Sequence, residues 1–322
     1  MKVYVVTVLF LILNLLAIAK SVTITIPSGS TAVQIAHTLH DHALIQSPLL
    51  FRLYLKIRRA ESSLHSGQFT LPSTASYGEI LDILQEIDGP SSIVTIRIPE
   101  GFHIDEVASR FSVNPDQFRH YVQTQAKIDF MDQFSFIRHI PQSSLEGYLF
   151  PDTYLIASGL SIQSIVKMML QQFEQQIYSI WLQSPHKTRS FHDIATLASI
   201  IEKEAATVSE MSNISAVFHN RLNQRMPLSS CPTVAYALGE PRKPYLSYAD
   251  TRVDSPYNTY LHRGLPPTPI AVFGVAAFKA ALNPTPSFNY LYFISRGDGT
   301  HIFSRTLRDH LNHQKRLMGT HR

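Results

Sequence analysis

Two glutamates near the end of one strongly patterned helix are spaced for acid–base chemistry. The segment reads Asp193-Ile194-Ala195-Thr196-Leu197-Ala198-Ser199-Ile200-Ile201-Glu202-Lys203-Glu204-Ala205. At roughly 100° per residue, Ile194, Leu197, Ala198, Ile201, Ala205 and Val208 form one apolar stripe. Glu202 and Glu204 fall on opposite margins of that stripe, and Lys203 points to solvent. Glu204 follows Ile200 and Ile201 by a turn, so apolar neighbours surround its carboxyl. Such surroundings disfavour the carboxylate and raise its pKa. A carboxyl raised in this way can stay protonated near neutral pH and donate to a glycosidic oxygen, the use made of one in lysozyme. Spacing alone is also met by two solvated edge charges paired with Lys203 or Arg221.

Other chemistries find less support. The chain has no G-x-x-x-x-G-K-[ST], no H-E-x-x-H and no G-x-S-x-G. Its single cysteine, Cys231, excludes an internal disulfide and a four-cysteine metal site. The fifteen histidines do not cluster at ligand spacings. His37, His40 and His42 decorate a polar helix face. His301 and His310 sit near a turn with aromatics, where a polar contact is the simpler reading than a metal. The net charge of +4 is small and spread along the chain. No dense basic tract interleaved with aromatics argues for nucleic acid as a partner.

The elements that must position these residues follow from pattern. A chain of 322 residues, 44% hydrophobic, has enough apolar material for a real core and suggests two domains, or one with a smaller companion. Residues 3–19 are almost wholly apolar and follow Lys2. The run is at the short end of what spans a bilayer, about 17–25 residues. Ala17-Ile18-Ala19 also resembles a signal cleavage site. A retained anchor is the preferred reading, and either reading puts the rest of the chain outside the cytoplasm.

Residues 22–26 alternate as a strand that stops at Pro27-Ser28-Gly29. Helical spacing follows over 31–42 and 47–60. Ser76 and Glu79 form a capping-box pattern for a helix over 76–87, and 93–98 alternate again. Ile24, Ile26, Pro27, Gly29, Ile35, Ala36 and Leu39 are echoed by Ile96, Ile98, Pro99, Gly101, Val107, Ala108 and Phe111. Each copy reads strand, Pro-x-Gly turn, amphipathic helix. The pattern resembles a LysM unit, a module associated with N-acetylglucosamine-containing glycans; two unrelated strand–turn–helix units would read the same.

Further on, spacing predicts helices over 161–181, 191–208, with Ser190 and Asp193 as a capping pair, and 210–224. Residues 227–269 are rich in Pro and Tyr and read as irregular. A helix is expected over 271–282 and a strand pair over 290–295 and 301–304 around Gly297-Asp298-Gly299. The fold class is mixed α+β, not a repeated βα unit.

Beyond pattern, the segment from Leu197 to Glu204 closely resembles the active-site helix of the endolytic murein transglycosylases. Glu146-Gly147-Tyr148-Leu149-Phe150-Pro151-Asp152-Thr153-Tyr154, Ala216-Val217-Phe218-His219-Asn220-Arg221-Leu222 and Pro232-Thr233-Val234-Ala235-Tyr236 resemble further family segments, in order. So do Ser255-Pro256-Tyr257-Asn258-Thr259-Tyr260, Gly264-Leu265-Pro266-Pro267-Thr268-Pro269-Ile270 and the strands near 290–304. Two positions depart from the pattern: Cys231 stands where the family usually carries Asp, and Thr268 where it often carries Gly.

The resemblance implies a membrane anchor over 1–20, a LysM-like glycan-binding module over 21–98 and a lytic transglycosylase domain over 99–322. It implies cleavage of peptidoglycan glycan strands between N-acetylmuramic acid and N-acetylglucosamine, leaving a 1,6-anhydro end, without a cofactor. Glu204 would be the single acid/base. Tyr148, Tyr257 and Tyr260 would stack on sugars; Asn220 and Asn258 would bind acetamido groups. For each of these five, core packing or turn capping is the alternative. The expected place is the cell (inner) membrane, single-pass, with the catalytic domain on the periplasmic side. Peptidoglycan synthases are candidate partners. Two rivals remain: a hydrolase using Asp250 or Asp254 as second carboxylate, and a non-catalytic peptidoglycan scaffold.

Overall fold

The computed structural model describes residues 21–319 apart from 28, 62, 86–92, 158–159, 186 and 244. The chain folds as two compact units: the described residues up to Ile93 with Ala157, and Val94–Ile156 with the described residues from Leu160 onward. The run over 3–19 expected to anchor the chain lies outside the described residues. Among the described residues no helix is long and apolar enough to cross a membrane.

In the first unit, β1 (Ser21–Ile26) leads through a turn, with Gly29 at φ +79°, into α1 (Ala32–Asp41). Then come α2 (Pro48–Ile57), β2 (Gly67–Pro72) and α3 (Tyr77–Gln85). β2 pairs antiparallel with β1, Ile24 opposite Phe69 and Val22 opposite Leu71. Period-two alternation buries Ile24 and Ile26. They meet Ile35, Leu39, Phe51, Leu55, Phe69, Leu71, Ile80 and Leu84 in a core of the unit's own. The Ser76–Glu79 capping box is formed, each backbone N–H accepted by the other's side chain.

The second unit begins at the pair of β3 (Ile93–Arg97) and β4 (Thr153–Ala157). Between them lie α4 (Ile104–Ala108), α5 (Pro115–His120) and α6 (Ala126–Phe130), the last two joined by a π-turn over Tyr121–Gln125. Gly101, at φ +77°, turns the chain from β3 towards α4, so the echoed strand–turn–helix pattern is real in both places. The helix expected over 161–181 is α7 (Ile162–Phe173) and α8 (Ser179–Gln183), linked by a second π-turn over Glu174–Tyr178.

α9 (Phe191–Glu204) is the axis of this unit. It is surrounded by α10 (Met211–Asn223), α11 (Cys231–Ala237) and α12 (Val275–Leu282). β5 (Tyr292–Ser295) and β6 (His301–Ser304) form an antiparallel hairpin, and α13 (Leu307–Gly319) packs on it. The mixed α+β class expected from the sequence is what is seen.

Several local expectations need correction. α9 ends at Glu204, and Ala205 is already extended, so Val208 is exposed rather than part of a stripe. From Phe191 to Ile201 every residue except Asp193 is buried, as befits a helix enclosed on all sides. Lys203 does not point to solvent: its Nζ donates to the Gly101 carbonyl at 3.1 Å. α11 lies within the stretch read as irregular, although Ser230 before Cys231-Pro232 is a helix-start signal.

Candidate active site

Glu204 owes its position to where α9 stops. Ser190 caps the other end, accepting from the Asp193 N–H at 3.0 Å, and the capping pair expected there is formed. Fourteen helical residues then carry the chain through the core, and the last of them emerges at the wall of a cleft of about 530 Å³. Arg221, Ser229, Cys231, Tyr260, Tyr292, His301 and His310 share that wall.

Among the described residues the carboxyl has one direct hydrogen-bond partner. Ser230 Oγ donates to Glu204 Oε1 at 2.6 Å. Ser230 is the residue preceding α11, yet its hydroxyl does not cap that helix; it is turned to Glu204 instead. Its N–H donates to Thr259 Oγ1 at 3.0 Å, and Thr233 Oγ1 bonds both the Ser230 carbonyl and Thr259 Oγ1. Ser229 beside it sits in left-handed backbone at φ +49° and donates its N–H to the Thr259 carbonyl. The serine is therefore aimed by a network, and its alternative partner has been given up.

Burial pushes the Glu204 carboxyl above its ordinary value; the Ser230 hydrogen bond, His301 and Arg221 oppose that rise. Arg221 does not neutralise it through an ion pair. Its guanidinium donates to the Leu291 and Leu228 carbonyls, each at 2.6 Å, and lies over the Tyr292 ring. Glu204 is the only carboxyl among the described residues lining the cleft.

Glu202 faces elsewhere. Its Oε2 accepts the Gly274 N–H at 2.9 Å, at the start of α12, where a carboxylate suits the helix dipole. Burial raises its carboxyl too, but its role is to hold α12 against α9. The two margins read from the sequence thus separate one cleft group from one packing group.

Of the five expected sugar-binding residues, only Tyr260 lines this cleft, its hydroxyl 3.2 Å from Cys231 Sγ. Tyr148 is 0% exposed. It packs against Phe136, Phe173 and Phe191, with its hydroxyl 2.6 Å from His192 Nδ1. A ring enclosed by the core cannot stack on a sugar, so its expected role is corrected to packing. Asn258 is likewise sealed at 0%. Its amide donates to the Thr251 and Val253 carbonyls and accepts from Tyr260 N–H, which makes it a turn-former. Asn220 donates to the Phe288 and Tyr290 carbonyls and lines a different pocket, with Arg189 and His219. Tyr257 is half-buried against Tyr236, its hydroxyl 2.7 Å from Thr268 Oγ1, and does not line the Glu204 cleft.

Neither departure from the family pattern disturbs the backbone. Thr268 is not among the residues with positive φ, whereas Gly264 is, at +92°. Cys231 is exposed and keeps its place in the cleft wall. Asp250 accepts from Lys243 and Ser247, and neither it nor Asp254 lines the cleft. Sequence pattern left Ser230 unassigned, although the Ser-x-Pro helix start was an available signal for it.

A buried carboxyl that accepts from the Ser230 hydroxyl thus stands at the end of a core helix in an α+β domain. Comparison with known proteins places that domain. The YceG-like family matches residues 24–316, and the chain belongs to it. It is 34% identical to a Bacillus subtilis protein named endolytic murein transglycosylase, over 90% of this chain and 83% of that one. A Streptococcus pneumoniae (strain D39) protein of the same name is 30% identical over 90% of this chain, which spans 57% of that longer protein. A crystal structure of a yceG-like protein from Listeria monocytogenes superposes with a TM-score of 0.64 at 31% identity, over 91% of this chain and 99% of that one.

Proposed function

We propose that this chain is an endolytic peptidoglycan lytic transglycosylase with Glu204 as its single acid/base. The observation that carries this reading is the solitary carboxyl of the cleft, protonation-prone through burial. Ordinary glycosidases need two carboxylates and a water. A lytic transglycosylase needs neither the second carboxylate nor the water, because the C6 hydroxyl of N-acetylmuramic acid attacks its own C1. Glu204 gives its proton to the oxygen of the departing N-acetylglucosamine and then, as carboxylate, takes the proton of the C6 hydroxyl as that oxygen bonds to C1 and the ring closes to the 1,6-anhydro form. The nucleophile is already tethered, so its entropy of approach is small. Proton donation of this kind is worth about 10²–10⁴-fold in rate. Cutting within nascent strands would end their elongation.

The location of Asp250 and Asp254 outside the cleft argues against the hydrolase alternative. The first unit has its own core and a strand–turn–helix start, which supports reading it as a LysM-like glycan grip. The apolar run over 3–19 supports a membrane anchor with the remainder on the periplasmic side, within reach of peptidoglycan synthases.

The test is Glu204→Gln against purified glycan strands, with products read by mass spectrometry. Wild type should give 1,6-anhydro ends; Glu204→Gln should lose activity by orders of magnitude and stay folded. Glu202→Gln should keep most activity, because its amide oxygen can still accept from Gly274. Reducing ends from wild type, or an active Glu204→Gln, would end this reading.

A further inference from the structure

α2 turns an apolar face to solvent. Ser47 caps the helix, accepting from the Leu50 N–H at 3.4 Å, and Pro48 stands in its first turn, so local signals form it. Phe51 and Leu55 are its inner residues, sealed in the core of the first unit. At roughly 100° per residue, Leu49, Leu50, Leu53 and Ile57 share the opposite arc of about 100°. Leu49 and Ile57 are each 72% exposed, Leu50 56% and Leu53 54%. Single exposed leucines are ordinary; four apolar side chains on one helix face form a patch of the kind that marks an interaction surface. Charge gathers at the same place. Between Lys20 and Arg97 the chain has four Lys and Arg residues, and they are Arg52, Lys56, Arg58 and Arg59. No Asp or Glu stands between Ala43 and Ala60. None of the four cations makes an ion pair among the described residues. Lys56 and Arg52 border the apolar arc on one side. Tyr54 borders it on the other, with the Arg58 guanidinium 5.5 Å from its ring centre. The helix dipole accounts for cations at the last turn, but not for Arg52 and not for the leucines.

We propose that α2 lies in the interface of an anionic lipid bilayer, its leucines and isoleucine among the acyl chains and its cations among the headgroup phosphates. An apolar face bordered by Lys and Arg is the pattern of a helix that rests in that interface, and a tyrosine suits its margin. Charge decides against a second copy of the chain. A two-fold pairing of this face would set the same four cations against their counterparts, with no carboxylate on α2 to offset them. An anionic bilayer complements both halves of the pattern. The place of the helix in the chain agrees, since only Lys20 separates the apolar run over 3–19 from β1. A unit of about 70 residues has a radius of gyration of about 11 Å, so on the anchor reading every face of this one stays within about 30 Å of the bilayer. The strand–turn–helix start read as a glycan grip is β1 and α1, which leaves the outer face of α2 for lipid. A few partly inserted side chains hold weakly and reversibly, so residues 21–322 stay soluble where no lipid is present.

The test needs no assay of cutting, so its failure leaves the Glu204 reading untouched. Residues 21–322, which contain both cores, are mixed with vesicles of phosphatidylglycerol and phosphatidylethanolamine, or of phosphatidylcholine alone, and bound protein is read by cosedimentation. Binding should be seen with the anionic vesicles, weaken in high salt and be lost on phosphatidylcholine. Leu53→Asp/Ile57→Asp should lower the partition coefficient by at least about 10-fold, the worth of one buried leucine. Lys56→Gln/Arg59→Gln should lower it by about 5-fold for each charge removed. The four substituted positions are exposed, so circular dichroism and melting should match wild type. In the full chain placed in the same bilayers, the tryptophan of Leu53→Trp should be quenched by acyl chains brominated near the headgroups. The native Trp181, 8% exposed, should not be. No binding of residues 21–322 to the anionic vesicles, equal binding by wild type and Leu53→Asp/Ile57→Asp, or an unquenched Leu53→Trp in a membrane-inserted chain would overturn the inference. So would a dimer abolished by Leu53→Asp/Ile57→Asp without vesicle binding, which would give the face to a second copy. A full chain that fails to insert while residues 21–322 bind through α2 would sink the anchor reading alone.

Discussion

Ser230→Ala separates a serine that tunes an acid from one that merely starts a helix. In the structure Ser230 Oγ is 2.6 Å from Glu204 Oε1 and makes no capping bond to α11. A hydrogen bond to a charged group is worth roughly 1.5–3 kcal/mol. With the proton about half transferred at the transition state, about half of that is lost, near 1 kcal/mol, or about 5-fold in kcat/KM. The sign of the pH effect follows from the same bond. Ser230 favours the ionised form and opposes burial, so its removal lets burial act unopposed by that bond and raises the carboxyl further. The alkaline limb, where activity falls as Glu204 ionises, should move to higher pH. Stability should change little, because the usual N-cap loss of about 1 kcal/mol does not apply and the Ser230 N–H keeps Thr259 Oγ1. Ser230→Thr should restore the profile. The assay is kcat/KM on purified glycan strands across pH, beside thermal melts. A Ser230→Ala protein that melts early yet keeps the wild-type alkaline limb would refute the reasoning.

Three other outcomes are expected. Tyr148→Phe should destabilise by about 1–2 kcal/mol, since His192 Nδ1 loses its partner in the core, and should leave KM for strands unchanged; a raised KM at equal stability would return Tyr148 to the substrate site. The full chain should sediment with membranes and resist high salt, because a spanning helix is held by apolar burial and not by charge, while residues 21–322 alone should be soluble. Removing residues 21–93 between the apolar run over 3–19 and the larger unit should leave cleavage but weaken engagement with long strands, since remote contacts hold a polymer in register; unchanged turnover and product lengths in a folded deletion protein would make that unit a spacer.

What the sequence disclosed and what it hid divide along the range of the forces involved. β1 and α1, the Ser76–Glu79 box, the Ser190 cap and the body of α9 are local outcomes of period and capping, and they were legible. Glu204 was legible in part: periodicity gave it apolar neighbours but could not separate a cleft carboxyl from a solvated edge, and family resemblance made that choice. The partners of Glu204 were not legible because they are brought together by tertiary contact. Ser230 reaches it from the residue before α11, 26 positions on, and His301, which lines the same cleft, is held by Glu210 across 91 positions. The aromatic assignments failed for a related reason. A tyrosine in a conserved-looking motif carries a large apolar ring as well as a hydroxyl, and at Tyr148 the core claims the ring while His192 satisfies the hydroxyl. Tyr260 stays in the cleft because Asn258, sealed beneath it, accepts its N–H and fixes the turn that carries it. The residues that shape the site are thus partly ones that never face it, and their effect should appear in how Glu204, Tyr260 and His301 are held rather than in contacts with a glycan.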